Sequence, residues 1–246
     1  MRIAIVGGTG TLGRQVAAEL GSRGHEVRIL SRSAAEFPID LRSGDGLEFA
    51  LAGCDVVVDA SNAQKKSADT LVEGSRTLLA AEKKAGVGHH VCVSIVGCDL
   101  IPTGYFQVKA DQERVVAAGP VPWTIVRATQ FHELMAQTLQ SMSRLGILPL
   151  PHAAMRTIAS AEVAAAVADA ALSRPLRSRI DVVGPEQQDL RELARTWRKI
   201  TGRRPLLLPI RLPGKLGKAL RDGAAVTDRP DVRGRTTFAN WLAAER

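Results

Sequence analysis

Ile3-Ala4-Ile5-Val6-Gly7-Gly8-Thr9-Gly10-Thr11-Leu12-Gly13 is a short apolar run that opens into a glycine-rich turn, and the residues after it have helical apolar spacing. Gly7, Gly10 and Gly13 recur at every third position across that turn. Each has a physical job. Gly7 allows a sharp exit from a strand, Gly10 lets backbone come close to a pyrophosphate, and Gly13 lets the helix lie close to the sheet. The free N–H groups and positive dipole end of that helix would then face the phosphates. A glycine triplet alone is weak evidence, because such turns also occur without a ligand. Between a strand and an amphipathic helix it reads as a dinucleotide-binding turn, with Gly7, Thr9, Gly10, Thr11, Leu12 and Gly13 around the phosphates.

Outward from this turn, short apolar runs alternate with helical patterns. Strands are expected at 2–6, 26–30, near 37–39, and at 55–60, 90–95 and 122–126. Helices are expected at 11–23, 44–52, 68–85 and 106–118. Such alternation builds parallel βαβ units with right-handed crossovers. The runs are continuously apolar, as strands covered by helices on both faces must be. The fold class is therefore α/β, a doubly wound parallel sheet. Beyond residue 127 the rhythm loosens into helices at 129–144, 160–173 and 187–201, a strand near 179–183, and proline-punctuated apolar pieces. Residues 1–150 are expected to form the nucleotide-binding layer, and 151–246 a small cap packed over the carboxyl edge of the sheet, where open α/β folds bind ligands.

The 246 residues suffice for one good-sized core. No uninterrupted apolar run of about 18 residues exists, so no membrane span and no membrane partner is expected. Met1 precedes the first strand directly, which leaves no leader segment to expect and makes the cytoplasm the expected compartment. Cys54, Cys92 and Cys98 are too few and wrongly spaced for a zinc site or a disulfide framework, so no metal is expected. The net charge of +8 is uneven: between Arg191 and Arg235 there are 13 Lys/Arg against 4 Asp/Glu. That segment lacks a DNA-binding motif and basic–aromatic interleaving, so it reads as a solvated face, and nucleic acid is not expected as a partner.

The end of the second strand discriminates between dinucleotides. An Asp or Glu there would hold a ribose 2′-hydroxyl. The residues present are Ser31-Arg32-Ser33, which suit a 2′-phosphate: the guanidinium pairs with it and the hydroxyls donate to it. The expected cofactor is NADP(H). Asp40-Leu41 lies where a carboxylate could accept from an adenine amino group, and Ala60-Ser61-Asn62 is small and polar, as a segment passing a ribose should be. Tyr105 is the only tyrosine, and Lys109, one of eight lysines, follows it by four residues. On a helix that spacing puts the ammonium beside the phenol, where it favours the phenolate. Lys109 could also hold ribose hydroxyls, and Ser94, at the end of the fifth strand, could orient a substrate carbonyl. Thr129 follows the sixth strand near the expected nicotinamide. Phe131, His132, Met135, His152 and Met155 are candidates for lining a small-molecule substrate pocket.

Gly7-x-x-Gly10-x-x-Gly13, Ser31-Arg32, Asp40-Leu41, Ser94 and Tyr105-x-x-x-Lys109 together resemble the short-chain dehydrogenase/reductase superfamily. The segments Val93-Ser94-Ile95-Val96-Gly97, Pro122 through Phe131, and Gly184-Pro185-Glu186 are similar to its atypical NmrA-like branch. The resemblance implies a Rossmann domain with strand order 3-2-1-4-5-6-7 and a small C-terminal substrate region. It also implies hydride transfer from NADPH, with Tyr105 as proton donor, Lys109 as its activator and ribose ligand, and Ser94 as carbonyl orienter. Two departures stand out: only eleven residues separate Ser94 from Tyr105, and Pro102-Thr103-Gly104 directly precedes the tyrosine. The expected function is an NADPH-dependent oxidoreductase acting on a small carbonyl, quinone, flavin or activated alkene. An NADP(H)-sensing regulatory protein without turnover is the alternative. A sugar epimerase or dehydratase is the third, for which the chain is short. A monomer or homodimer is expected.

Overall fold

The computed structural model describes residues 1–63, 68–101, 103–144 and 146–245. The first half runs β1 (Arg2–Val6), α1 (Thr11–Ser22), β2 (Glu26–Ser31), β3 (Phe37–Pro38), α2 (Leu47–Leu51) and β4 (Val56–Asp59). A turn of π-helix over Ala68–Glu73 then leads into α3 (Gly74–Ala85), followed by β5 (His89–Ile95), α4 (Gly104–Ala117) and β6 (Trp123–Ala128). The second half contains α5 (His132–Ser143), β7 (Ile147–Pro151), β8 (Ala154–Met155), α6 (Ser160–Leu172), β9 (Arg179–Val183) and β10 (Gln188–Asp189). It ends with α7 (Leu190–Thr201), β11 (Leu206–Ile210), α8 (Gly214–Arg221), β12 (Val232–Arg233) and α9 (Phe238–Ala244).

Eight strands form one parallel sheet in the order β3-β2-β1-β4-β5-β6-β9-β12. The expected order 3-2-1-4-5-6-7 is therefore present, with β9 in seventh place and the short β12 beyond it. Period-two alternation divides the apolar strand residues between two cores. Ile3, Ile5, Val56, Val58, Val91 and Val126 face α1 and the alanine-rich α6. Ala4, Val6, Val57, Cys92 and Ile125 face the side covered by α2, α3 and α4. Both faces exclude water, which is why these strands lack the polar–apolar alternation of a half-exposed sheet.

The glycine turn behaves as its spacing implies. Gly7 has φ +74°, and a Cβ there would lie 2.7 Å from the Ala60 carbonyl oxygen. A Cβ on Gly13 would lie 2.3 Å from the Gly7 carbonyl oxygen, so α1 can approach the strand only without a side chain at that position.

The division of the chain at residue 150 is not how the layers part. α6, β9 and β12 belong to the main sheet and its cover. A third core joins α5, β7, α7 and α9, with Met135, Leu139, Leu148, Leu150, Trp197 and Phe238 inside it. Its parallel ribbon β7-β11 and the small antiparallel pair β8-β10 were not anticipated from sequence. Pro149, Pro151 and Pro209 sit within the ribbon strands and mask their pattern, since proline in a strand argues against one except at an edge. Helix α7 starts at a capping box: Asp189 accepts from the Arg191 backbone N–H at 2.9 Å, and Glu192 accepts from the Asp189 N–H at 3.2 Å. Among the described residues no helix is long and apolar enough to cross a membrane.

Replacing Gly13 with Val should force α1 away from the turn, where the obstruction is backbone and cannot rotate aside. A destabilisation of about 1–3 kcal/mol is expected for such overpacking, read as a lowered midpoint in urea unfolding. Gly21→Val, with open space around its Cβ position, is the control.

Candidate functional site

A cleft of about 450 Å³ opens at the carboxyl ends of β1, β4, β5 and β6. Its walls bring together residues far apart in sequence: Gly10–Gly13 from the start of α1, Ala60-Ser61-Asn62 after β4, Ser94 on β5, Tyr105 and Lys109 on α4, and Thr129 and Phe131 after β6. One end suits phosphate. Gly10 is the N-cap of α1, no side chain caps that helix, and its first turn has no acidic residue. The first-turn N–H groups have no helical acceptor and so remain available to an anion. Two buried oxygens at the cleft, Ser61 Oγ and Gln130 Oε1, have no hydrogen-bond partner among the described residues. Unpaired buried polar atoms are costly, and a polar ligand laid across this wall would satisfy them. The residues present therefore fit a dinucleotide.

Tyr105 is the second residue of α4, so the helix begins in time to place it and Lys109 on one face. The Tyr105 hydroxyl donates to Asn62 Oδ1 at 2.8 Å. Burial raises the phenol above the ordinary tyrosine range, and Lys109 offsets only part of that rise. The expectation that Lys109 brings the phenol down towards working pH is thus corrected: desolvation outweighs the ammonium, and the phenol keeps its proton. Lys109 is buried. Its ammonium donates to the Val93 carbonyl oxygen at 2.7 Å and to Gln112 Oε1. Gln112 in turn donates from Nε2 to Asp59 Oδ2 and to Ser75 Oγ, each at 3.0 Å.

Ser94 lies on the cleft wall, but its hydroxyl donates at 2.6 Å to the buried Glu113 carboxylate. Its proton is therefore not offered to a substrate carbonyl, which corrects the orienting role expected for it. Glu113 also accepts from Arg127 at 2.8 and 2.7 Å and from Arg179 at 2.7 Å. Burial alone would raise this carboxyl, but hydrogen bonds from Arg127, Ser94 and Arg179 hold it down to about 2.

The expected substrate residues separate. Phe131 lines the cleft, joined there by Phe106, Leu134 and Gln137, which sequence reasoning missed. His132 is buried on the far side, donating from Nε2 to the Thr236 carbonyl at 3.0 Å and packing on Phe238 and Trp241. Met135 and Met155 are core side chains of the third cluster. His152 pairs with Asp189 at the start of α7. None of the four lines the cleft: His132, Met135 and Met155 pack into the C-terminal core, and His152 is an exposed partner of Asp189. Leu41 is likewise a core residue, packed against Gly74. Asp40 Oδ1 accepts from the Arg42 N–H at 2.7 Å, and Ser31 Oγ accepts from the Ser33 N–H at 3.2 Å. Arg32 is exposed beside them, just past β2. Gln112 had a legible signal, lying three residues after Lys109 on the same helix. Glu113 had one too: an arginine inside a buried strand needs a carboxylate.

Glu113→Gln should remove about 3 kcal/mol of stability, the low end for breaking a buried ion pair, since Asp99 remains 3.2 Å from Arg127. The sign with pH follows from the depressed carboxyl. The native chain should lose this contribution as pH falls from the unfolded carboxylate value of 4.5 towards 2, and the variant should lack that part of the slope. Urea unfolding at several pH values measures both.

Comparison with known proteins agrees with the geometry. Residues 7–174 match the model of a family described as NAD(P)H-binding. The photosystem II assembly factor Ycf39 of Synechocystis is 32% identical over 147 residues, covering 53% of this chain and 45% of that protein. An uncharacterized protein of Mycobacterium tuberculosis is 30% identical over 162 residues, 62% of this chain and 18% of its own. The chain thus spans less than half the length of these relatives. Among solved structures, an NADPH-dependent quinone oxidoreductase of Escherichia coli complexed with NADPH superposes with TM-score 0.80 at 18% identity, over 99% of each chain. A nucleoside-diphosphate-sugar epimerase of Staphylococcus aureus superposes with TM-score 0.78 at 18% identity, over 99% of this chain and 100% of its own. A short-chain dehydrogenase/reductase superfamily protein of Agrobacterium tumefaciens with bound NAD shares the fold at TM-score 0.77 and 17% identity, over 100% of this chain and 95% of its own. With the family match covering most of the chain and falling on the glycine turn, the cleft and α4, the protein belongs to the NAD(P)H-binding family.

Proposed function

We propose that the protein is an NADPH-dependent reductase of the short-chain type, acting on a small carbonyl, quinone, flavin or activated alkene. One observation carries this reading: Tyr105 and Lys109 share a helix face in the same cleft as the uncapped start of α1. A nicotinamide held there supplies hydride. The chain's own residues supply the rest. For a carbonyl substrate, Tyr105 gives its hydroxyl proton to the oxygen as the carbon becomes tetrahedral. Lys109 stabilises the resulting phenolate until water returns the proton. Phe106, Phe131 and Leu134 offer an apolar wall that favours an apolar substrate and limits water. The preference for NADPH is supported by exposed Arg32, by the adjacent Ser31 and Ser33, and by the lack of a carboxylate at that strand end.

A second reading has its own support. Tyr105, Lys109 and Ser94 all hydrogen-bond within the protein, to Asn62, to Val93 and Gln112, and to Glu113. A cofactor sensor needs nothing more from them, and an assembly factor is among the relatives. A panel of quinones, flavins and aldehydes with NADPH separates the two, because a sensor binds the cofactor tightly and turns over none of them.

For the reductase, Tyr105→Phe should lower kcat at least about 100-fold while leaving NADPH affinity within about twofold. Full activity in that variant would remove the proton-donor role. Because burial holds the phenol above its ordinary range, the alkaline fall in rate should lie at or above the free tyrosine value. Arg32→Ala should weaken NADPH binding about 10- to 100-fold, the worth of a charged hydrogen bond, and leave NADH binding unchanged in fluorescence titration. An unchanged NADPH-to-NADH ratio would overturn the cofactor preference.

A further inference from the structure

The ribbon β7-β11 is apolar on both faces. Its inner face carries Leu148 and Leu150, which are buried in the third core with Trp197. Its outer face is also apolar. Leu206 lies beside Ile147, and Leu208 beside Pro149. Leu206 is 61% exposed, Leu208 45% and Ile147 44%. A solvated sheet face ordinarily carries polar side chains, and large apolar ones gathered on one face mark a contact surface. Immediately before this face, the end of α7 and the turn into β11 form a shallow depression of about 310 Å³, lined by Arg195, Arg198, Lys199, Arg203 and Arg204 with Gly202. None of these five cations makes an ion pair among the described residues. The depression lies within the segment that holds the chain's whole positive excess.

We propose that this surface docks on an anionic lipid membrane, the cations at the level of the phosphates and Ile147, Leu206 and Leu208 in the boundary below them. The other occupants fit less well. A second copy would bring two strongly positive segments together. An added peptide strand would need edge N–H groups, and Pro149, Pro151 and Pro209 remove donors from both ribbon strands. Single-stranded nucleic acid would want aromatic platforms, and neither the ribbon nor the depression carries one. A lipid surface needs only what is present: exposed leucines and isoleucine with unpaired cations beside them. Such peripheral attachment is compatible with the absence of a spanning helix among the described residues; the expectation of no membrane partner rested only on the lack of a long apolar run.

The test is co-sedimentation of the whole chain with vesicles of phosphatidylglycerol mixed with phosphatidylcholine, and with vesicles of phosphatidylcholine alone. Binding to the mixed vesicles and not to the neutral ones is expected. Arg203→Glu with Arg204→Glu should weaken it at least about tenfold, as should Leu206→Ser with Leu208→Ser. Both variants should keep NADPH binding, since none of these residues lines the cleft. No binding to mixed vesicles, binding that both folded variants retain, or capture of a polyuridine RNA in place of vesicles would each overturn the proposal.

Discussion

The Glu113 carboxylate holds helix α4 against three neighbouring strands. It accepts from Ser94 on β5, from Arg127 on β6 and from Arg179 on β9. Desolvating a carboxylate is expensive, and leaving it unpaired would cost several kcal/mol. That is a large part of the roughly 5–15 kcal/mol by which a domain is stable. The helix therefore has one seat on the sheet. Because Tyr105 and Lys109 ride on that helix two turns and one turn earlier, their placement at the cleft is inherited from the Glu113 contact. The site is precise because its support is a charge that cannot be left bare.

A second buried cluster fixes the direction of Lys109. Its ammonium sits between the Val93 carbonyl and Gln112, and Gln112 passes the contact on to Asp59 and Ser75. Asp59 ends β4, with Oδ1 accepting from the Ser61 N–H at 2.9 Å. The same carboxylate thus shapes the Ala60-Ser61-Asn62 segment that lines the cleft and anchors the amide that holds the lysine. Deeper in the same core, Glu82 and His90 form a fully buried pair with Nδ1 2.8 Å from the carboxylate, and Glu82 raises the imidazole well above its ordinary value despite burial. The sheet face under α3 and α4 is therefore not a plain apolar core but one crossed by buried polar contacts. Such contacts rigidify a site when complete.

The glycine turn, the six strands that follow its pattern and the Tyr105–Lys109 face were legible because each rests on short-range rules. A turn needs glycine where a Cβ would strike backbone, a strand between helices is apolar throughout, and residues four apart share a helix face. What was not legible depends on partners distant in sequence. Ser94 looked free until Glu113, nineteen residues away, took its proton. His132, Met135, His152 and Met155 follow or surround the expected nicotinamide segment, yet their direction is set by α7 and α9. The ribbon β7-β11 escaped notice because prolines broke the very alternation by which strands are read.

The hydrogen bonds of the cleft also rank its candidates for chemistry. Tyr105 bonds to a neutral amide, and such a bond contributes only about 0.5–1.5 kcal/mol net. A substrate oxygen can replace Asn62 as its acceptor at little cost. Ser94 bonds to a charged carboxylate that two arginines also hold, a contact worth about 1.5–3 kcal/mol and coupled to the seat of α4. Turning that hydroxyl towards a ligand would disturb the group that positions the tyrosine. A reduction performed here would therefore draw on Tyr105 and Lys109 and not on Ser94. In the proposed reductase the Tyr105 hydroxyl, released from Asn62, would meet the substrate oxygen, while Ser94 stays with Glu113.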